Sequence, residues 1–242
     1  MHRIKIIVPA NTTAFNERIL AAVAPVKAPD VEIGVANITA GRPHIENRCD
    51  LTENAPHVIA AVIAAEKEGY NAVFVTDFDM CGVEASREAV GIPVIGGFTA
   101  CACTALAISS KFSIITILRS IIAMQRAHVY EIGVPQDYAS IRPINIQVED
   151  LAKVEFVTAR VFEEAEKAIR EDGAEAILLG CTGFVGIAAD VQNLLAQAGL
   201  FVPVLDPNQV GIAFVEMLVR TGLAQSRATY PRATVTPTVP GQ

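Results

Sequence analysis

The chemistry in this chain starts at a thiol. The run Ala176-Ile177-Leu178-Leu179 ends abruptly in Gly180-Cys181-Thr182-Gly183-Phe184. That pattern predicts a buried strand whose C-terminal tip carries Cys181, followed by a tight turn into a helix. In open parallel sheets, ligands bind outside strand C-termini. Unpaired N–H groups at a helix start lower a thiol's pKa and can hold an anion, so Thr182 and Gly183 are candidate substrate contacts. The same cysteine could equally be a small packing residue, because free Cys is among the most buried residue types. On this stretch alone both readings stand.

A second stretch supplies a partner position. Residues 69–78 (Gly-Tyr-Asn-Ala-Val-Phe-Val-Thr-Asp-Phe) align without gaps on residues 173–182 (Gly-Ala-Glu-Ala-Ile-Leu-Leu-Gly-Cys-Thr). That register sets Asp77 opposite Cys181. Each stretch leads into a helix and then a short strand, Ile92-Pro93-Val94 or Val202-Pro203-Val204. A carboxylate has a reference pKa of about 3.9 against about 8.5 for a thiol, so Asp77 needs desolvation to act as a base. Phe78 and the apolar strands could provide it. Thr76, Thr116 and Thr182 fall at predicted strand tips, where hydroxyls could meet carbonyl or carboxylate oxygens or serve only as turn and cap residues. Asn11 follows the first strand, as a ligand or an N-cap. Arg42 and His44 lie on a long polar loop, where they could contact a substrate, although the stretch reads first as a solvated loop. Cys49, Cys101 and Cys103 read as packing residues.

These residues need elements to hold them. Strands are expected at 4–8, 31–37, 73–75, 92–95, 112–117, 141–147, 176–179 and 202–205. Helices are expected at 14–23, 56–68, 83–89, 98–110, from 118, 154–172 and 207–221, with a polar loop over 39–54. Strict alternation predicts a parallel α/β protein. With the repeat, it predicts two pseudo-symmetric α/β lobes with parallel sheets and the active site in the cleft between them. The expected division is 1–99 for the first lobe, completed by 208–223, then 100–207 for the second lobe. An extended C-terminal tail is expected over 224–242.

Bulk properties narrow the function. A hydrophobic fraction of 52% in 242 residues supports a sizeable core, and 6% aromatic content with no Trp makes it mostly aliphatic. A net charge of −7 with scattered Lys and Arg argues against a nucleic-acid partner. No apolar run reaches the length of a membrane span, and the start is too short in apolar residues for a signal peptide. An odd count of five cysteines argues against a disulfide framework, and the four histidines lack metal-ligand spacing. The expectation from these properties is a soluble cytoplasmic protein with no metal, whose strand-tip hydroxyls suit a small molecule with a carbonyl or carboxylate group.

The motifs, in order, resemble a known family. They are Ile7-Val8-Pro9-Ala10-Asn11-Thr12, Gly41-Arg42-Pro43-His44-Ile45-Glu46, Asp50, the Asp77 tip, Lys111-Phe112-Ser113-Ile114-Ile115-Thr116, Arg119-Ser120 and Leu178-Leu179-Gly180-Cys181-Thr182-Gly183. Together they resemble the aspartate/glutamate racemase superfamily and, within it, the hydantoin and allantoin racemases. The resemblance implies cofactor-independent proton transfer at a carbon beside a carbonyl, with two cysteines facing each other across the substrate. Two opposed acid/base groups are what inversion through a planar carbanion requires. Cys181 matches the second cysteine. At the first position this chain has Asp77, with Cys81 four residues on, and Ala10 stands where the family's asparagine is expected. Three readings follow. Asp77 replaces the thiol, or Cys81 swings into the cleft, or Cys181 works alone as in the arylmalonate decarboxylases. Loss of the paired bases would instead leave a small-molecule binder.

Overall fold

The computed structural model describes residues 1–233. Strands and helices alternate along the chain: β1 (His2–Val8), α1 (Asn16–Val23), β2 (Val31–Asn37), α2 (Arg48–Lys67), β3 (Ala72–Val75), α3 (Val83–Ala89), β4 (Val94–Gly96) and α4 (Gly97–Ile108). The second half continues with β5 (Phe112–Thr116), α5 (Arg119–Glu131), β6 (Tyr138–Pro143), α6 (Val154–Asp172), β7 (Ala176–Leu179), α7 (Ala188–Gln197), β8 (Val204–Leu205) and α8 (Pro207–Thr221). All pairings are parallel, in two four-stranded sheets ordered β2-β1-β3-β4 and β6-β5-β7-β8. The order is the same in both, so the repeat seen in sequence is a repeat in space. Ile7 pairs with Val75 in one sheet, and Ile115 pairs with Leu179 in the other.

The central strands explain the continuous apolar runs. β3 and β7 are buried at every position, as strands covered on both faces must be. One core runs across both halves, joining Val73, Val75, Phe78 and Phe98 to Phe112, Ile114 and Leu178. A second core lies under α6 and α7, and a third under α1 and α8. The last helix lies close on β3, because Gly211 brings its backbone against the Phe74 ring, where a Cβ would come within 2.2 Å.

Several boundaries differ from expectation. α2 starts at Arg48 rather than 56, so the connecting loop is short. Asn47 caps it, accepting from the N–H groups of Cys49 and Asp50, and Pro56 is carried inside the helix. The sixth strand is Tyr138–Pro143, earlier than the 141–147 expected. α1 starts at Asn16 behind Phe15, and neither Asn11 nor Thr12 caps it. The chain beyond α8 is not simply extended. It turns so that Tyr230 N donates to Ser226 O, and it packs back on α3 through Gln225 to the Val90 and Ile92 carbonyls and Tyr230 to Arg87. The rest of the expected tail, 234–242, lies outside the described residues.

Candidate active site

Two strand tips from different sheets converge on one cavity. Beyond β3 the chain continues through Thr76 to Asp77, and beyond β7 through Gly180 to Cys181. Each of these side chains is two residues past its strand. Both line one cavity with Thr76, Thr182, Gly183, Ala10 and the apolar side chains of Val8, Pro9, Phe15, Ile19, Pro43, Ile45 and Val148. His44 completes the wall. No Lys or Arg is among these lining residues.

Local folding fixes Asp77. Its carbonyl accepts from Gly97 N at 2.9 Å, and Gly97 has no Cβ to crowd that contact. Past Phe78 the chain curls through Met80 (φ 63°) and Gly82 (φ 66°), both left-handed, which returns Cys81 N–H to the Asp77 carboxylate at 2.7 Å. Burial raises the Asp77 pKa above the ordinary carboxylate value, while the N–H groups of Cys81 and Asp79 and the nearby His128 oppose that rise. The carboxyl is therefore basic beyond a surface aspartate, yet held in place as an anion.

Cys181 is fixed by glycines. Gly180 N donates to Ile115 O at 2.8 Å, and a Cβ on Gly180 would lie 2.5 Å from Ile114 Cγ2. The sulfur accepts from Gly183 N at 3.3 Å. Burial pushes the thiol up to about 12, against the pull of that N–H, and negative charge on the surrounding acidic groups, Asp77 and Glu46 among them, acts in the same direction as burial. At neutral pH Cys181 is a thiol, and so a proton donor.

The two tips are clamped together by Asn208 of α8. Thr76 Oγ1 donates to Asn208 Oδ1 at 2.7 Å, and Asn208 Nδ2 donates to Thr182 O at 2.9 Å. Thr182 Oγ1 donates to Thr76 O at 2.8 Å. Both hydroxyl protons are thus spent on the protein, and Thr76 and Thr182 meet a substrate only as acceptors or through backbone. Nothing local in the sequence marks Asn208, which reads as an ordinary residue of the first helical turn. Truncating it leaves two buried partners unsatisfied. Asn208→Ala is expected to cost about 2–4 kcal/mol, read as a lower urea midpoint with an unchanged m-value, and to slow turnover by loosening the tips.

Three expected contacts lie elsewhere. Asn11 is exposed, its N–H donating to Arg42 O, and Ala10 faces the cavity instead. Phe78 is buried behind the wall, edge-on to Phe98 with ring centroids 5.6 Å apart. Thr116 is fully buried behind the site with no partner for its hydroxyl. Cys81 is also buried away from the cavity, its thiol donating to Leu51 O. Sequence reasoning gave the 41–47 loop too little weight. Asn54 ties it down by donating to Pro9 O and Arg42 O and accepting from Arg42 N. Glu46 carries it across to the second half, accepting from Val148 N at 2.8 Å through its carboxylate and from Ser120 Oγ at 2.7 Å through its carbonyl. His44 and Ile45 are thereby walls of the site rather than solvated residues.

A carboxyl and a thiol thus stand on equivalent strand tips of two parallel α/β halves and line one cavity. The chain belongs to the Asp/Glu/Hydantoin racemase family, whose model matches residues 4–215. It is 30% identical to a hydantoin racemase of Rhizobium meliloti over 239 residues, 96% of this chain and 95% of that one. Its structure resembles the allantoin racemase from Klebsiella pneumoniae with a TM-score of 0.91 and 30% identity, covering 97% of this chain and 95% of the other. Arylmalonate decarboxylase shares the fold at a TM-score of 0.65 and 20% identity, covering 94% and 96%. The protein is a racemase, an isomerase acting on a small molecule.

Proposed function

We propose that the substrate is a neutral ring ureide of the hydantoin type and that Asp77 and Cys181 are the two acid/base groups. The observation that carries this reading is that both line one cavity from equivalent tips of opposite halves. Asp77 carboxylate removes the hydrogen from the carbon beside the ring carbonyl. The electron pair delocalises into that carbonyl, and the Cys181 thiol delivers its proton to the opposite face. For the mirror-image substrate the roles reverse, Cys181 thiolate removing the hydrogen and protonated Asp77 returning one. The backbone N–H groups of Cys181 and Thr182, at the turn after β7, stabilise the enolate oxygen.

The wall supports a neutral substrate. An amino acid or a malonate brings a carboxylate, which is costly to desolvate beside another carboxyl. The lining has no Lys or Arg to offset that cost and holds Asp77 itself. A ring ureide carries no charge, and its substituent fits against Phe15, Ile19, Pro43, Ile45 and Val148. The His44 ring is part of the wall, and its buried Nδ1 has no protein partner. The relatives named hydantoin racemase and allantoin racemase support the same class. We also place the enzyme in the cytoplasm as a homo-oligomer. Five free cysteines, two of them exposed, suit a reducing compartment, and exposed Ile108, Tyr130, Phe156 and Phe201 suit subunit contacts.

The test uses single enantiomers of 5-substituted hydantoins in D2O, beside L-glutamate and phenylmalonate. The expected result is loss of optical rotation with deuterium incorporation for the hydantoins alone. Release of CO2 from phenylmalonate, with no exchange in any hydantoin, would overturn the reading.

A further inference from the structure

We propose that Asp79, which does not line the substrate cavity, is a positioning residue held as a neutral carboxylic acid, its O–H donating to Gln125. Two buried carboxyls only two residues apart are served very differently by hydrogen-bond donors. Asp77 receives N–H groups from Cys81 and Asp79, so it is equipped to be an anion. Asp79 is 6% exposed. One of its oxygens has no partner, and the other has only the Gln125 amide at 3.4 Å. A buried carboxylate with one long bond from a neutral amide is far from satisfied.

Gln125 sharpens the count. Its Nε2 donates to Gly180 O at 2.7 Å, and a carbonyl can only accept, so the amide orientation is fixed. Oε1 is then a buried acceptor with no donor. Asp79 and Gln125, in contact through Oδ2 and Nε2, thus each carry an orphan acceptor. One proton on Asp79 resolves both, converting a carboxyl oxygen into the donor that Oε1 lacks.

The charges around Asp79 agree. From its own turn it meets Asp77 and Cys81, and across the site Cys181. Behind it lies a second cavity that it lines with Glu84, Arg87, His128, Glu131 and Tyr230. Arg87 is committed to Glu84, Tyr230 OH and Val94 O. His128 Nε2 meets the Asp79 backbone carbonyl rather than its carboxyl. Burial and the neighbouring Asp77 both raise the proton affinity of Asp79.

The consequence is mechanical and electrostatic. Through Gln125, Asp79 holds Gly180 and with it the backbone that aims Cys181. By staying neutral it leaves a single negative charge to be shared between Asp77 and Cys181, the number that two-base proton transfer needs. This role rests on the reading of Asp77 as the ionised base, so the decisive experiment does not require turnover. Infrared difference spectra of the native protein minus Asp79→Asn at neutral pH are expected to show a protonated carboxyl band that shifts in D2O. Absence of that band overturns the proposal, whereas failure of Asp77→Asn to impair racemisation overturns the base assignment instead. In kinetics, Asp79→Ala is expected to lower kcat about tenfold with little change in KM, the loss of one buried hydrogen bond. Asp79→Asn, whose amide can donate to Gln125, should recover most of that kcat and move the alkaline loss of activity to higher pH. Equal impairment of the two variants, or an effect on KM alone, would count against the role. If Asp79→Ala fails to fold, the infrared comparison decides.

Discussion

Cys181→Ala is expected to racemise its substrate about a thousandfold more slowly than the native enzyme, or worse, with folding intact. The thiol stands over the cavity with one N–H contact, from Gly183, so its removal disturbs little besides the chemistry. Cys181→Ser should be nearly as poor, because a hydroxyl is a weak acid and a weaker base. The pH dependence follows from the sign of the shift. Burial lifts the thiol to about 12, so across the neutral range Cys181 is protonated, and Asp77, whose pKa burial raises, is the group that must be ionised to act as the resting base. Protonating Asp77 removes the resting base, so activity falls as pH drops through its raised pKa. That acid limb should lie above where an exposed aspartate would place it. Rate measurements from acid to neutral pH check this.

Asp77→Asn is expected to lower racemisation by about 10²–10⁴-fold. The substitution is close to isosteric, and its amide oxygen can still accept the Cys81 N–H, so the turn at 77–82 should survive. What it removes is one of the two proton acceptors. Because enantiomers interconvert with an equilibrium constant of unity, kcat/KM must fall equally in both directions, whichever base is deleted. Unequal losses in kcat/KM would point to contaminating activity. Circular dichroism of the variant beside polarimetry separates lost chemistry from lost fold.

How much of this was legible beforehand depends on whether the signal was local. The apolar runs at β3 and β7 and the glycine-rich turn after β7 are local, so the strands, the parallel class and the position of Cys181 could be read directly. The repeat made Asp77 its counterpart because the two halves share one strand order. The misplacements have physical causes. Pro56 looked like a helix start, but the Asn47 cap begins the helix eight residues earlier than proline alone suggests. Thr116 matched Thr76 in sequence logic, yet the cavity is asymmetric. It is built by the tips of β1, β3 and β7 and by the 41–47 loop, while the tip of β5 stays buried behind it. Asn208, Asn54 and Gln125 were invisible because each has at least one partner 45 or more residues away, reached along a path that the sequence does not state. His44 was hidden for the same reason, since its burial depends on Glu46 and Asn54 holding the loop in place.

The central claim is that Asp77 and Cys181 work on opposite faces of one carbon. The measurement that tests it most directly is hydrogen exchange at that carbon in D2O, followed by NMR for each enantiomer separately in Asp77→Asn and in Cys181→Ala. A lone base can remove and return a proton on its own face without inverting the centre. Each variant should therefore exchange one enantiomer only, the two variants should choose opposite enantiomers, and neither should racemise at a useful rate. If Asp77→Asn still exchanges and inverts both enantiomers, Asp77 is not the second base and the two-faced account is wrong.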